Sequence, residues 1–210
     1  MEHTPGRDCP LCPRLAAFRG TWRAQEPDWF NAPVPGFGTA DARLLIVGLA
    51  PGLRGANRTG RPFTGDYAGD LLYQTLIDFG FAAGTYAARP DDGLRLIDAR
   101  IVNSVRCVPP ENKPTTEEIR TCRPFLASAV AAMPRLEAIV TLGKIAHDST
   151  ITTLGARPAH HRFGHGAQSE LGRLRVFASY HCSRYNTNTG VLTPQMFRDV
   201  FAAVRAYLGA

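Results

Sequence analysis

Lysine is almost missing from this chain of 210 residues, where Lys113 and Lys144 are the only two. The net charge is nonetheless +6 and is carried nearly all by arginine, spread along the chain. Guanidinium groups stay charged and pair two-pronged with phosphates, so an anionic partner is expected, with nucleic acid leading. Long apolar runs are missing too. The longest, such as Leu44-Leu45-Ile46-Val47, are strand-sized and fall far below the roughly 18 residues that a membrane helix takes, so no membrane span is expected. The opening residues from Met1 to Cys9 lack the basic start and apolar core of a signal peptide, and the expected location is the cytoplasm. There is no internal repeat and no low-complexity tract. With 44% apolar residues, one domain over residues 1–210 can bury its own core, and a monomer is expected.

Four short apolar runs read as buried parallel strands, at about Leu44 to Gly48, Arg100 to Asn103, Ala138 to Leu142 and Arg175 to Ser179. Helical patterns alternate with them. The clearest is capped by Thr193, begins with Pro194, repeats apolar residues at Phe197, Val200, Phe201, Val204 and Leu208, and stops at Gly209. Others are expected near Ala68 to Phe79, Thr116 to Arg120, Pro124 to Met133 and Gly143 to Ser149. Pro124 splits one pattern in two because it cannot donate to the preceding turn, which leaves Cys122 at a junction. This alternation specifies an α/β fold, a three-layer doubly wound sandwich around a central four-stranded parallel sheet, with ligands beyond the carboxyl ends of the strands. Three stretches lack periodicity: the N-terminal arm to about residue 43, Gly48 to Gly65, and Arg157 to Gly166. Loops of that length usually have a function.

Cys9 and Cys12 form a C-x-x-C pair, and Cys107 and Cys122 lie far along the chain. Five cysteines make an odd count, and disulfides are disfavoured in the cytosol. Two pairs of thiolates therefore point to a metal centre, either tetrahedral zinc or an iron-sulfur cluster, and spacing does not choose between them. Cys182 reads as a small buried residue, because nothing marks it as a thiol of lowered pKa. The His160, His161 and His165 cluster reads as a solvated loop, Lys144 as a surface residue, and Trp22 and Trp29 as packing residues of the arm.

After the first strand, the segment from Gly48 to Asp66 is rich in glycine and arginine. Glycines allow close backbone approach, arginines answer phosphates, Phe63 offers a stacking face, and Asp66 is a carboxylate at the start of a helix. No Lys-Ser/Thr pair follows its last glycine, so it is not a Walker A loop. By composition alone Asp66 reads as a helix N-cap. The polar run from His181 to Gly190 follows the last strand, and Asn103 ends the second, so all three converge on one edge of the sheet.

Taken in order, these segments resemble the uracil-DNA glycosylase superfamily, and within it family 5, the B type. The match spans the C-x-x-C arm, Val34 to Gly38, Gly48 to Asp66, Asn103 to Pro114, Cys122-Arg123-Pro124 and His181 to Gly190. The resemblance implies that Cys9, Cys12, Cys107 and Cys122 hold a 4Fe-4S cluster. Family 4 relatives carry a catalytic glutamate where this chain has Leu49, whereas family 5 relies on a later aspartate that falls on Asp66. It further implies that Phe63 stacks on an extruded base, that Asn103 reads its pyrimidine edge, and that His181 stabilises the departing base. Ala50, Pro51, Gly52, Gly65 and Arg61 are implied in substrate binding, and Arg58, Ser183, Arg184, Tyr185 and Asn186 in DNA binding, with Arg184-Tyr185 as a wedge. Many relatives have His-Pro-Ser where this chain has His181-Cys182-Ser183. The implied activity is hydrolysis of the N-glycosidic bond of uracil, and of other deaminated or damaged bases such as hypoxanthine or ethenocytosine, in DNA. The alternative keeps the cysteines and basic loops but no turnover, as an iron-sulfur DNA-binding or redox-sensing module.

Overall fold

Arm residues that lack an apolar stripe nevertheless form the first helix. The computed structural model describes residues 2–209, and within them α1 (Pro13–Gln25) occupies the stretch expected to be irregular. The pattern was invisible because only Leu15 and Arg19 of this helix are buried; Pro13 at its first position was the one local signal. Next come the two-residue β1 (Phe37–Gly38), the first core strand β2 (Leu44–Gly48), one turn of helix α2 (Ala56–Thr59) and α3 (Tyr67–Asp78). A small ribbon, β3 (Ala82–Ala83) with β4 (Arg95–Leu96), precedes β5 (Ala99–Asn103), α4 (Thr116–Ala131), β6 (Ala138–Leu142) and α5 (Lys144–Thr153). The chain closes through β7 (Gln168–Leu171), β8 (Leu174–Ser179), α6 (Arg184–Asn188) and α7 (Pro194–Tyr207).

The four apolar runs become β5, β2, β6 and β8, parallel and in that spatial order. Antiparallel β1 and β7 extend the two edges, so the sheet has six strands around the four expected. Alternate side chains serve opposite faces. Leu44, Ile46, Ile101, Val140 and Phe177 pack with Leu72, Leu76, Phe197 and Phe201 of α3 and α7. Leu45, Val47, Val102, Ile139 and Val176 pack with Leu126, Ala129 and Ile151 of α4 and α5. Burial on both faces explains why these strands read as unbroken apolar runs.

One expectation is corrected. Pro124 does not end a helix; α4 runs through it, with Cys122 inside the helix. A proline there removes one backbone bond and crowds the preceding turn, at roughly 3 kcal/mol. Thr115 and Glu118 offset this with a complete capping box, and Cys122, Phe125, Leu126 and Ala129 are buried along its length.

Candidate active site

The carboxyl ends of β2, β5 and β8 open on one cavity of about 630 Å³, in the size range of small-molecule sites. The loop after β2 supplies Leu49 to Ala56, the start of α3 supplies Asp66 to Ala68, and Phe63, Asn103 and His181 complete the inner wall. Gly48 makes that convergence possible. It pairs with Asn103 across the sheet, and a Cβ there would run into the Asn103 carboxamide oxygen and lie 2.7 Å from Phe63 Cζ. Only a residue without a side chain lets the aromatic ring and the carboxamide meet over this strand end.

Phe63 is buried and held in the left-handed region, with φ of +52°. Such a backbone costs an L-residue of order 1–3 kcal/mol and persists only where its surroundings impose it. Here the Tyr86 hydroxyl donates to the Phe63 carbonyl at 3.2 Å, and Gly69 lies so close to that carbonyl that any side chain would collide with it. The ring centroid is 6.0 Å from that of His181, tilted by 31°.

Asp66 does two things at once. It is the N-cap of α3, accepting the Gly69 N–H at 3.3 Å on Oδ1, and it borders the cavity, where Oδ2 would lie 3.0 Å from a Cβ at Gly52. Burial, the larger influence, raises its pKa above the ordinary aspartate value, the Asp70 charge adds to this, and the backbone bonds from Gly69 and Ala68 oppose it. Capping and chemistry are therefore compatible in one carboxylate.

Asn103 is buried, and its Oδ1 has no hydrogen-bond partner. A buried acceptor left unpaired is unfavourable until a donor arrives. His181 is pushed by burial down to a pKa of about 4, so its imidazole is neutral near pH 7 and carries one N–H to donate. Asn186 fixes its backbone by donating to the His181 carbonyl at 2.8 Å.

Ala50, Pro51, Gly52, Ser183 and Arg184 also line the cavity, and the Arg184 guanidinium lies 5.2 Å from the Tyr67 ring centre. Five other sequence assignments fall elsewhere. Arg61 turns inward, donates twice to Asp92 at 2.8 and 2.7 Å and to Thr64 at 2.7 Å, and lies against Phe37, Tyr73 and Tyr86. It is a buried structural ion pair, with the Asp92 carboxyl held well below its usual range by that guanidinium. Gly65 is a turn glycine at φ of +90° beside the exposed Arg58. Tyr185 is 74% exposed outside the cavity, and Asn186 holds the His181 backbone and lines a neighbouring groove. Sequence reasoning missed Gly48, Tyr67 and Asn112, and read Arg54 only as one of the loop arginines facing phosphate. Gly48 and Asn112 lay inside quoted segments with nothing to distinguish them.

A second constellation lies in the arm. Cys9, Cys12, Cys107 and Cys122 border one small cavity closed by Leu15, Val105 and Phe125. None of the four is in a disulfide. Cys12 sits at the N-cap of α1, where the helix dipole favours a thiolate. Burial nevertheless pushes the Cys12 thiol up to about 11 and Cys107 up to about 12, and raises Cys122, with neighbouring thiols adding to the rise at Cys12 and Cys107. Two donors answer the sulfurs: Arg19 Nη1 to Cys107 Sγ and the Arg106 N–H to Cys122 Sγ, both at 3.3 Å. The Arg106 guanidinium is fully buried beside this cavity; none of its nitrogens is within hydrogen-bond distance of an acceptor, and the Glu2 carboxylate faces it at 3.8 Å. Among the described residues, no three His, Cys, Asp or Glu side chains are gathered closely enough to hold a single metal ion.

Comparison with known proteins adds an independent line. Residues 35–205 match the family model described as the uracil DNA glycosylase superfamily. A protein of Thermus thermophilus named type-5 uracil-DNA glycosylase is 45% identical over 208 residues, covering 96% of this chain and 94% of its own. One of Pyrobaculum aerophilum with the same name is 38% identical over 96% of this chain and 90% of its own. One of Mycobacterium bovis is 42% identical, covering 96% of this chain and 78% of its own.

Proposed function

The chain belongs to the uracil-DNA glycosylase superfamily, and from that premise we propose that it hydrolyses the N-glycosidic bond of uracil in DNA to leave an abasic site. The observation that carries this reading is the meeting of a carboxylate, a carboxamide with an unpaired buried acceptor, a neutral imidazole and an aromatic ring around one cavity. Extruding a base from the stack costs a few kcal/mol, least for a mispaired one. Stacking on Phe63 returns about 1–3 kcal/mol. Asn103 Oδ1 accepts the imide N–H of uracil, while its amide nitrogen donates to the adjacent carbonyl.

Bond breaking leaves positive charge on the sugar and negative charge on the base. Asp66 answers the first as a carboxylate and orients the attacking water. His181 answers the second: a neutral imidazole N–H donates to the carbonyl oxygen on which charge develops, and needs no prior protonation. Arg54 and Arg184, both exposed at the cavity, meet phosphates.

The four cysteines are proposed to hold a 4Fe-4S cluster. They ring a common cavity, and the Arg19 donor at Cys107 and the buried Arg106 guanidinium, whose nearest carboxylate is Glu2 at 3.8 Å, suit an anionic guest. When bound, such a cluster supplies a cross-link between the arm and the sheet.

Base range follows from the carboxamide. Hypoxanthine shares uracil's neighbouring N–H and carbonyl, whereas ethenocytosine offers no such N–H, so excision is expected in the order uracil, hypoxanthine, ethenocytosine. The test is release of free base from duplexes carrying each lesion, followed by alkaline scission at the abasic site. Binding without any base release overturns the reading in favour of a DNA-binding module.

A further inference from the structure

Resting on the glycosylase reading, we propose that His165 is a positioning residue for His181: its imidazole takes the place of a missing strand partner and holds the backbone just before His181. From sequence, His160, His161 and His165 read as one solvated loop, and only part of that holds. His160 is exposed, whereas His165 is half-buried with both ring nitrogens engaged by main chain. The Tyr180 N–H donates to Nδ1, and Nε2 donates to the Met196 carbonyl, both at 3.1 Å. A backbone N–H can only donate and a carbonyl can only accept, so these partners fix the tautomer, with the ring hydrogen on Nε2.

The bond to Tyr180 lies where the sheet gives out. Along β8, pairing with β7 stops at Phe177 and pairing with β6 at Ser179. Two further bonds tie the β7 edge of β8 to the turn ahead of β7: the Gly166 N–H to the Ala178 carbonyl at 2.8 Å, and the Ala178 N–H to the Ala167 carbonyl at 2.9 Å. The next donor facing that edge is the Tyr180 N–H, but the chain has already turned away over residues 164–167. That turn is closed by the Ala167 N–H on the Gly164 carbonyl at 3.0 Å, with Gly166 at φ of +76°. The His165 ring reaches back and supplies the acceptor that a strand would have given. His181 follows directly, and its own carbonyl accepts from Asn186 at 2.8 Å, so the backbone is held on both sides of it. The loop that carries His165 is anchored in turn. The Tyr180 ring packs against His165 and Phe163, with centroids 5.1 and 6.0 Å away, and the buried His147 of α5 donates from Nε2 to the His161 carbonyl at 2.9 Å. His165 does not line the cavity at the strand ends but a separate one of about 190 Å³ against α7, so its influence on the reaction runs through the His181 backbone.

Two variants separate the two bonds. In His165→Asn the carboxamide oxygen stands where Nδ1 stood and still accepts from Tyr180; in His165→Gln the amide nitrogen reaches the Nε2 position, keeps the Met196 bond and leaves the Tyr180 N–H without a partner. Single-turnover release of uracil should fall about tenfold in His165→Gln, because a small displacement of His181 is enough, and stay within about threefold of wild type in His165→Asn. Affinity for a uracil-containing duplex should be unchanged in both, which confines the loss to the rate. Hydrogen exchange at the Tyr180 amide needs no turnover: it should be slow in the wild type and in His165→Asn, and about tenfold faster or more in His165→Gln. In a His181→Asn background the further cost of His165→Gln should shrink to about twofold or less, since the residue acts through one already removed. The proposal is overturned if both variants release uracil at the same rate, fast or slow, or if His165→Gln costs as much with His181 replaced as with it present. A Tyr180 amide that exchanges freely in the wild type overturns it with no variant at all, so a variant that fails to fold leaves no gap. A wild-type protein that protects this amide yet releases no uracil breaks the glycosylase reading instead, which keeps the two failures apart.

Discussion

The cavity at the strand ends and the cysteine site in the arm are both built from residues far apart in sequence, but they are held in opposite ways. At the cavity two functional groups rest on regular elements, Asn103 at the end of β5 and Asp66 at the cap of α3, while Phe63, in a turn, has its carbonyl held by the Tyr86 hydroxyl. The cysteine site is held by few apolar contacts, its thiols disfavour ionisation, and Arg106 has no partner for its guanidinium hydrogen bonds. The first region is fixed by hydrogen bonds from neighbouring elements, with the Asn103 acceptor left open. The second has few such ties beyond the donors to Cys107 and Cys122.

The sharpest way to break this contrast is Cys122→Ala. Because metal binding is folding free energy at such sites, we expect loss of iron, colour and most soluble yield together, read by metal analysis and absorbance. A colourless, fully stable variant would make the two regions alike. Asp66→Asn should act on the other region alone. The substitution keeps the cap, since asparagine caps as well as aspartate, so melting should be nearly unchanged while single-turnover excision falls by roughly 10²–10³ or more. Excision within a few-fold of wild type would reduce Asp66 to a cap.

Gly48→Ala is smaller and tests the sheet as scaffold. A methyl against the Asn103 oxygen and the Phe63 ring should destabilise by about 1–3 kcal/mol and slow excision, with iron content intact. The last test concerns His181, whose effect is confined to acid pH. The unfolded chain takes up this proton near pH 6.5 and the folded protein only near pH 4, so between those values the unfolded state binds more protons. Stability should fall as pH is lowered through that window, and the fall should be absent in His181→Asn when unfolding is followed across pH. Excision between pH 6 and 8 should show no His181 titration.

The same contrast explains what could be read from sequence. The core strands were legible because burial on both faces leaves unbroken apolar runs, and Asp66, Phe63, Asn103 and His181 were legible because they sit just beyond strands so marked. Helix α1 was not, since a helix that buries only Leu15 and Arg19 leaves no periodic trace. Pro124 misled because packing and a capping box outweighed a local rule. Arg61 misled because an arginine in a glycine-rich loop has the chemistry of a phosphate ligand, and its true partner, Asp92, lies 31 residues on with nothing in the intervening sequence to link them. Asn112 reaches the cavity through two left-handed residues, a conformation that the flanking prolines do not announce.

Gly69 has a consequence for how this pocket can change. With Gly69 beneath it and the Tyr86 hydroxyl upon it, the backbone under the aromatic floor has no second position to take. An altered appetite for bases is therefore expected from the walls, at Leu49, Ala50 or Asn103, while the floor stays where it is. Libraries aimed at new lesions should spare residues 63 and 69 and diversify those three.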